Sequence, residues 1–263
     1  MNLDLDDLTA DWQCSSDEIS ARLVTGRDGA ELVQMRVDLG LLQMFPDGRP
    51  DGTRYHGMSS VREFIQHECR NGRPIDDEVW DALDRELSQL NYRRMALAQL
   101  ADEALHEKDY AAARSHLDRV LRDIGAGIDA MTLIRDHQGS RTEALALWPT
   151  LVFNRARLGS QLNVVEGHFE DAIECVEDGA RELESLIDAS DSQADPLEPD
   201  PSVAFLKKLS RELRDQYGIE LTLHERLEEA LENEDFESAG KLRDELEQRK
   251  RRQRLHPPPT PES

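Results

Sequence analysis

From Asp76 onward the apolar residues of this chain recur at steps of three and four: Val79, Trp80, Leu83, Leu87, Leu90, Met95, Leu97, Leu100, Ala101 and Ala104. That spacing lines one face of an α-helix and is wrong for a strand, whose buried face returns every second residue. The stripe breaks at Lys108-Asp109-Tyr110 and resumes with Ala113, Leu117, Val120 and Leu121. Two helices joined by so short a break must fold back on each other to bury their stripes. Tyr110 is expected to plug the turn, and Ala113 to let the two backbones approach closely. Gly167-His168-Phe169, followed by Ala172 and Val176, repeats the order of turn, aromatic and small residue. The helix-like stretch Ala144 to Val165 precedes it, with Pro149 marking either a kink or a helix start. Gly125-Ala126-Gly127 and His137-Gln138-Gly139 read as hinges or loops between the two pairs. No single repeat length relates them, so the middle of the chain is expected to be a degenerate bundle of helical hairpins.

Composition supports solvated helices. Of 263 residues, 38% are hydrophobic, 33% charged and only 5% aromatic, a balance richer in charge than a compact enzyme usually has. The formal net charge of -23 repels phosphate backbones and anionic membranes and favours protein partners. Cys14, Cys69 and Cys175 are far apart and form no C-x-x-C pair, so neither a disulfide framework nor a zinc ribbon is indicated. They read as reduced thiols. The acidic start lacks the basic and apolar segments of a secretory signal, and no run approaches the roughly 20 apolar residues of a membrane helix. A soluble cytoplasmic protein without membrane contact is the expectation.

The first third has a different pattern. Ile19 to Val24 and Leu32 to Val37 alternate apolar and polar residues on either side of Thr25-Gly26-Arg27-Asp28-Gly29-Ala30, the signature of a β-hairpin. A third apolar run, Leu39 to Met44, continues the sheet or packs across it. Pro46-Asp47-Gly48 and Pro50-Asp51-Gly52 are two tight turns of one loop. Ser60-Val61-Arg62-Glu63 is a capping box opening a helix through Phe64, Ile65 and Cys69 to Asn71-Gly72. The resulting fold class is mainly α. A mobile acidic N-terminus at 1–14 is expected, then a small α+β unit at 15–72 packed on the helices after it. A helical bundle at 76–187, a flexible linker rich in Asp, Ser and Pro at 188–201, a helix plus an α-hairpin at 202–255 and a Pro-rich tail at 256–263 complete the division.

The hairpin is the most explicit element. Thr222-Leu223-His224-Glu225 is a capping box, and Leu223, Leu227, Ala230 and Leu231 form the stripe of the helix it starts. Asp235 is placed to cap a second helix, with Phe236, Ala239, Leu242 and Leu246 facing the first. On that placement Phe236→Ala would cost on the order of 3 kcal/mol of local stability. Leu227, Ala230, Glu234-Asp235-Phe236-Glu237, Ala239, Leu242-Arg243-Asp244 and Leu246 together resemble the UVR motif of the excision-repair proteins UvrB and UvrC, found also in some Clp-family ATPases and McsA kinase activators. The resemblance implies docking between proteins. It makes Leu227, Ala230, Leu231, Phe236, Ala239, Leu242, Arg243 and Leu246 the candidate partner-binding residues. Upstream, Leu97, Leu100, Ala101 and Ala104 with Ala113, Leu117 and Val120 resemble a tetratricopeptide (TPR) hairpin. The block Gln34 to Met44 with Gly48 to Gly52 is similar to that of uncharacterised bacterial proteins ending in the same motif.

Signs of chemistry are sparse. There is no G-x-x-x-x-G-K-[ST] loop and no G-x-S-x-G elbow, and His56, His67 and Cys69 lack the second close pair that a metal site needs. No cofactor and no metal are expected. Arg249, Lys250, Arg251 and Arg252, with Arg254, form the basic cluster. A DNA contact is one reading; the other is favourable charge at the negative end of a helix dipole, and the acidic chain supports it. The leading expectation is a non-catalytic adaptor that docks a protein partner, another UVR-type hairpin or a second copy. The alternatives are an excision-repair accessory touching UvrB/UvrC-type proteins or DNA, a regulator of a Clp-type ATPase, and an enzyme. The last has Asp47, Asp51, Arg54 and His56 beside a cleft between the N-terminal unit and the helices.

Overall fold

Alternation and a Gly/Asp turn give the expected hairpin, with strands β1 (Ser20–Thr25) and β2 (Glu31–Val37) antiparallel and Ala21 opposite Met35. Gly29 takes a φ of 82°, which a side chain would resist. The run ending at Met44 continues the sheet as β3 (Gly40–Met44), pairing Leu42 with Met35 in the order β1-β2-β3. Arg22, Gln34 and Gln43 lie across the outer face in one hydrogen-bonded row. Ala21, Val33, Met35 and Met44 bury their side chains on the inner side. The computed structural model of the chain describes residues 9–10, 12, 19–37, 40–137, 145–189 and 200–255, and for 249–255 the backbone. The acidic start apart from those residues, Gln138-Gly139, most of the Asp/Ser/Pro linker, the tail from 256 and the side chains of the basic cluster lie outside the described residues.

Eight helices follow among the described residues: α1 (Val61–Arg70), α2 (Asp77–His106), α3 (Tyr110–His137), α4 (Trp148–Val165), α5 (Phe169–Ala189), α6 (Pro201–Tyr217), α7 (Leu223–Glu232) and α8 (Phe236–Leu255). The chain is mainly α, with the small antiparallel sheet at its N-terminal side. Each helix from α2 to α5 packs on the next, and the sheet lies against α2. Core does not stop at Gly72: Val33, Met35 and Met44 from the sheet share one cluster with Ile65, Trp80, Leu83, Leu97, Leu117 and Ile124. A three-stranded sheet exposes too much apolar surface alone, and the long α2 supplies the cover. A second cluster joins α4, α5 and α6 through Val152, Ile173, Val176, Leu183, Val203 and Leu206.

Several local expectations need correction. Gly125 and Gly127 are no hinge, since α3 runs straight through them. At Gly127 a Cβ would stand 3.1 Å from Leu151 and 3.2 Å from Arg94, so this glycine serves close packing between helices. The Ser60 box is half closed. Ser60 Oγ accepts from Glu63 N at 3.0 Å, but the Glu63 carboxylate turns to Ser59, and buried Glu86 accepts from Val61 N instead. Pro149 marks a start, because α4 begins at Trp148 with the proline in its first turn, where a missing N–H costs nothing. The α4–α5 contact rests on small residues: a Cβ at Gly179 would meet that of Ala156 at 2.2 Å, and one at Gly159 would meet Cys175 Sγ at 2.8 Å. Burial pushes the Cys175 thiol up to about 11, leaving it protonated and unreactive at neutral pH.

Candidate functional site

The C-terminal hairpin is built by caps at the start of α7 and at the turn. In α7, Thr222 Oγ1 accepts from Glu225 N at 3.3 Å while Glu225 Oε2 accepts from Thr222 N at 2.7 Å, a complete capping box. The turn closes when Asp235 N donates to Ala230 O at 2.8 Å and Glu234 N to Leu231 O at 3.1 Å, with Glu234 at a φ of 55°. That pair of bonds is a Schellman motif. Asp235 then caps α8, accepting from Ser238 N and Oγ, and these bonds hold its carboxyl below the ordinary range.

The same closure occurs twice upstream. Asp109 N donates to Ala104 O and Lys108 N to Leu105 O, and His168 N donates to Asn163 O and Gly167 N to Val164 O. Lys108 and Gly167 take the positive φ, and Ala113 and Ala172, like Ala239, sit buried where the helices meet. The three turns are therefore one solution used three times. Their aromatics have different surroundings. Phe169 stacks on Tyr217 of α6 at 3.8 Å between ring centroids, whereas Tyr110 is 56% and Phe236 71% exposed.

Exposure of Tyr110 and Phe236 overturns the expectation that they plug or line their hairpins. Each is the first residue of its helix, and a helical Cβ leans toward the N-terminus, so the ring overhangs the turn beyond the last residue of the facing helix. Of the candidate partner-binding residues, Ala230, Ala239 and Leu246 are buried between α7 and α8, and Leu227 and Leu242 are half-buried there. Arg243 faces solvent. Leu231, half exposed, and Phe236 share the outward tip.

The hairpin is also less separate than the linker suggested. Helix α6 belongs to the bundle core through Val203, Leu206 and Leu213, and α7 is held to α5 by polar contacts. Leu223 N donates to Glu170 Oε2 at 3.3 Å, His224 Nδ1 lies 2.7 Å from Glu174 Oε1, and Arg214 bridges Glu177 at 2.9 Å and Glu225 at 2.6 Å. The tip lies at the opposite end of α7 from these contacts.

Residues Leu223–Leu255 thus form an αα-hairpin capped at its start and at its turn, with an exposed apolar tip. Over this module the family model of the UvrB/uvrC motif matches residues 222–251, so the chain carries that motif at its C-terminal region. No curated protein and no solved structure matches the chain. Among the described residues no helix is long and apolar enough to cross a membrane.

A second polar centre lies between the Pro-Asp-Gly loop and the helices. Arg93, 1% exposed, forks onto Asp123, 2% exposed, with Nε to Oδ2 at 2.7 Å and Nη2 to Oδ1 at 2.8 Å. Its Nη1 donates to Phe45 O and Gly48 O, and Arg122 reaches Pro46 O and Asp47. The loop is thus pinned by arginines of α2 and α3. Asp51 braces its own turn, and His56 stacks on Phe64. Sequence reasoning passed over Glu86, Arg93 and Asp123, although the signal was present: Leu83, Glu86, Leu90, Arg93 and Leu97 step by three and four, placing two charges on the buried stripe.

Burial raises the Glu86 carboxyl above its ordinary 4.5. The folded state then holds this proton more tightly than the unfolded chain, so the contribution to stability is full below 4.5 and is lost as pH rises through the folded value. Relative to wild type, Glu86→Gln should lose less stability as pH climbs above 4.5. Denaturant titrations at a series of pH values check this, and parallel curves for the two proteins would refute it.

Proposed function

We propose that this chain is a non-catalytic cytoplasmic adaptor that captures a protein partner through the tip and outer face of its C-terminal hairpin. The observation that carries the reading is Phe236, 71% exposed beside Leu231 on a rigidly capped turn. Water contact on a large aromatic fixed in place is unfavourable, and burial against a partner relieves it. The UvrB/uvrC motif over the same residues supports a partner bearing a hairpin of its own, with a second copy of the chain as the homotypic case. Excision-repair proteins and Clp-type ATPases are the settings this motif suggests.

Because Phe236 supports little of the fold, Phe236→Ala should change stability by no more than about 0.5 kcal/mol. Partner capture should nonetheless be lost. Affinity capture with the full chain, its Phe236→Ala variant and a Leu231→Ala variant tests this, with sedimentation separating a homodimer from a foreign partner. Recovery of the same proteins by all three, and the same mass in solution, would reject the adaptor reading.

A further inference from the structure

The outward tip of the hairpin carries more than an exposed ring. From Glu228 to Glu237 the chain has six carboxylates, Glu228, Glu229, Glu232, Glu234, Asp235 and Glu237, and no lysine or arginine. Asp235 is occupied by its cap on Ser238, and Glu237 pairs at 2.6 Å with Lys241, both side chains being solvated. Glu229, Glu232 and Glu234 are exposed, and among the described residues no cation pairs with them. The fold gains nothing from these three. Glu229 and Glu232 lie in the last turn of α7, which has no basic residue, and a carboxylate there faces the negative end of the helix dipole. The turn between α2 and α3 supplies an internal comparison. It closes with the same pair of bonds, yet Lys108 stands at the position of Glu234 and His106 at that of Glu232. The geometry of the turn therefore does not require acid at these positions.

Leu231 and Phe236 thus form an apolar spot inside a rim of uncompensated negative charge. A partner that buries the spot must bring cations to the rim, because carboxylates lose water there and need a countercharge in its place. Resting on the adaptor reading, we propose that the tip docks a foreign protein whose surface has an apolar socket rimmed by lysines and arginines. Phe236 enters the socket, and the basic rim pairs with Glu229, Glu232 and Glu234. Contact between the tips of two copies would set like charges against each other, and the net charge of -23 opposes the approach of a second copy from a distance. Nucleic acid is repelled from the tip for the same reason.

Fluorescence anisotropy with the full chain and labelled amphipathic peptides tests the proposal. The probes are a helical peptide with leucines on one face and lysines elsewhere, the same peptide with glutamate for each lysine, and the same with glutamine for each leucine. Saturable binding of the lysine/leucine peptide alone is expected, weakening as salt rises. The triple variant Glu229→Gln, Glu232→Gln, Glu234→Gln should weaken it about tenfold and flatten its salt dependence. Without peptide the same variant should melt above wild type, since it relieves the helix dipole, and affinity lost while stability rises cannot come from damage to the fold. Asp76→Asn, Asp77→Asn and Glu78→Gln together remove as much charge at the start of α2 and should leave affinity unchanged. Loss of binding in Phe236→Ala with full affinity in the triple variant would overturn the basic rim and leave the adaptor reading standing. Full affinity in both would overturn the two together. The proposal also fails if the lysine/leucine peptide does not saturate, if either other peptide binds as tightly, or if the α2 control weakens binding equally. Sedimentation showing a dimer that salt dissolves would put a second copy, through Arg249 to Arg252, in the partner's place and overturn it as well.

Discussion

Arg93→Ala should lower the unfolding free energy by about 4 kcal/mol, the range for breaking a buried ion pair from one side. Asp123 would remain 2% exposed with its main countercharge gone. Arg122, at 3.0 Å from Asp123 Oδ1, offsets part of this, but its side chain is 41% exposed and its donors are shared with Asp47 and Pro46. The carbonyls of Phe45 and Gly48 would lose their donor at the same time. Arg93→Met with Asp123→Leu removes both charges and should recover about half of the loss, because unpaired carbonyls cost only about 1 kcal/mol each once water reaches them. Guanidinium titrations of the wild type, the single variant and the double variant check the result. A single variant within 1 kcal/mol of wild type would mean that the pair is solvated in a way its burial does not suggest.

Gly179→Leu should cost about 3 kcal/mol, the upper range for overpacking. The Ala variant is the sharper test of cause. Replacing a glycine inside a helix ordinarily gains about 1 kcal/mol from backbone entropy. At Gly179 the new Cβ would stand 2.2 Å from that of Ala156, an atom fixed to the backbone of α4 that cannot swing aside. The two helices must separate, and the loss of packing along Val152, Ile173 and Val176 outweighs the gain, leaving a net loss of about 1 to 2 kcal/mol. Gly125→Ala makes the same chemical change where no atom lies within 4 Å, and there the gain of about 1 kcal/mol should appear undiminished. Thermal melts of the two variants should move in opposite directions. Stabilisation by Gly179→Ala would show that α4 and α5 are not held at this spacing.

Legibility in the sequence followed the range of each interaction. The β-hairpin, the run that became β3 and the turn with its alanine were readable because each depends on neighbours in the chain. Thr222 and Asp235 were placed as caps for the same reason, and both cap as expected. Phe236 was misplaced although its helix was right, because periodicity assigns a face but not whether anything stands opposite the helix end. Tyr110 failed in the same way, and Phe169 is covered only because α6 returns alongside it. The buried charges beside the cleft between the N-terminal unit and the helices were harder to read for a different reason. The cleft's walls come from residues up to 82 positions apart, and a stripe that carries charges does not say which distant group will meet them.

The sequence by itself determined the helical hairpins, their turns and the presence of the C-terminal motif, because hydrogen bonds between near neighbours and the step of the apolar stripe decide those. Only the tertiary structure decided that Arg93 and Asp123 meet inside the core, that α6 packs into the core of the bundle, and that Phe236 stands in water. Those outcomes depend on which distant surface arrives to cover a given side chain, and burial by distant segments leaves no local trace in the order of residues.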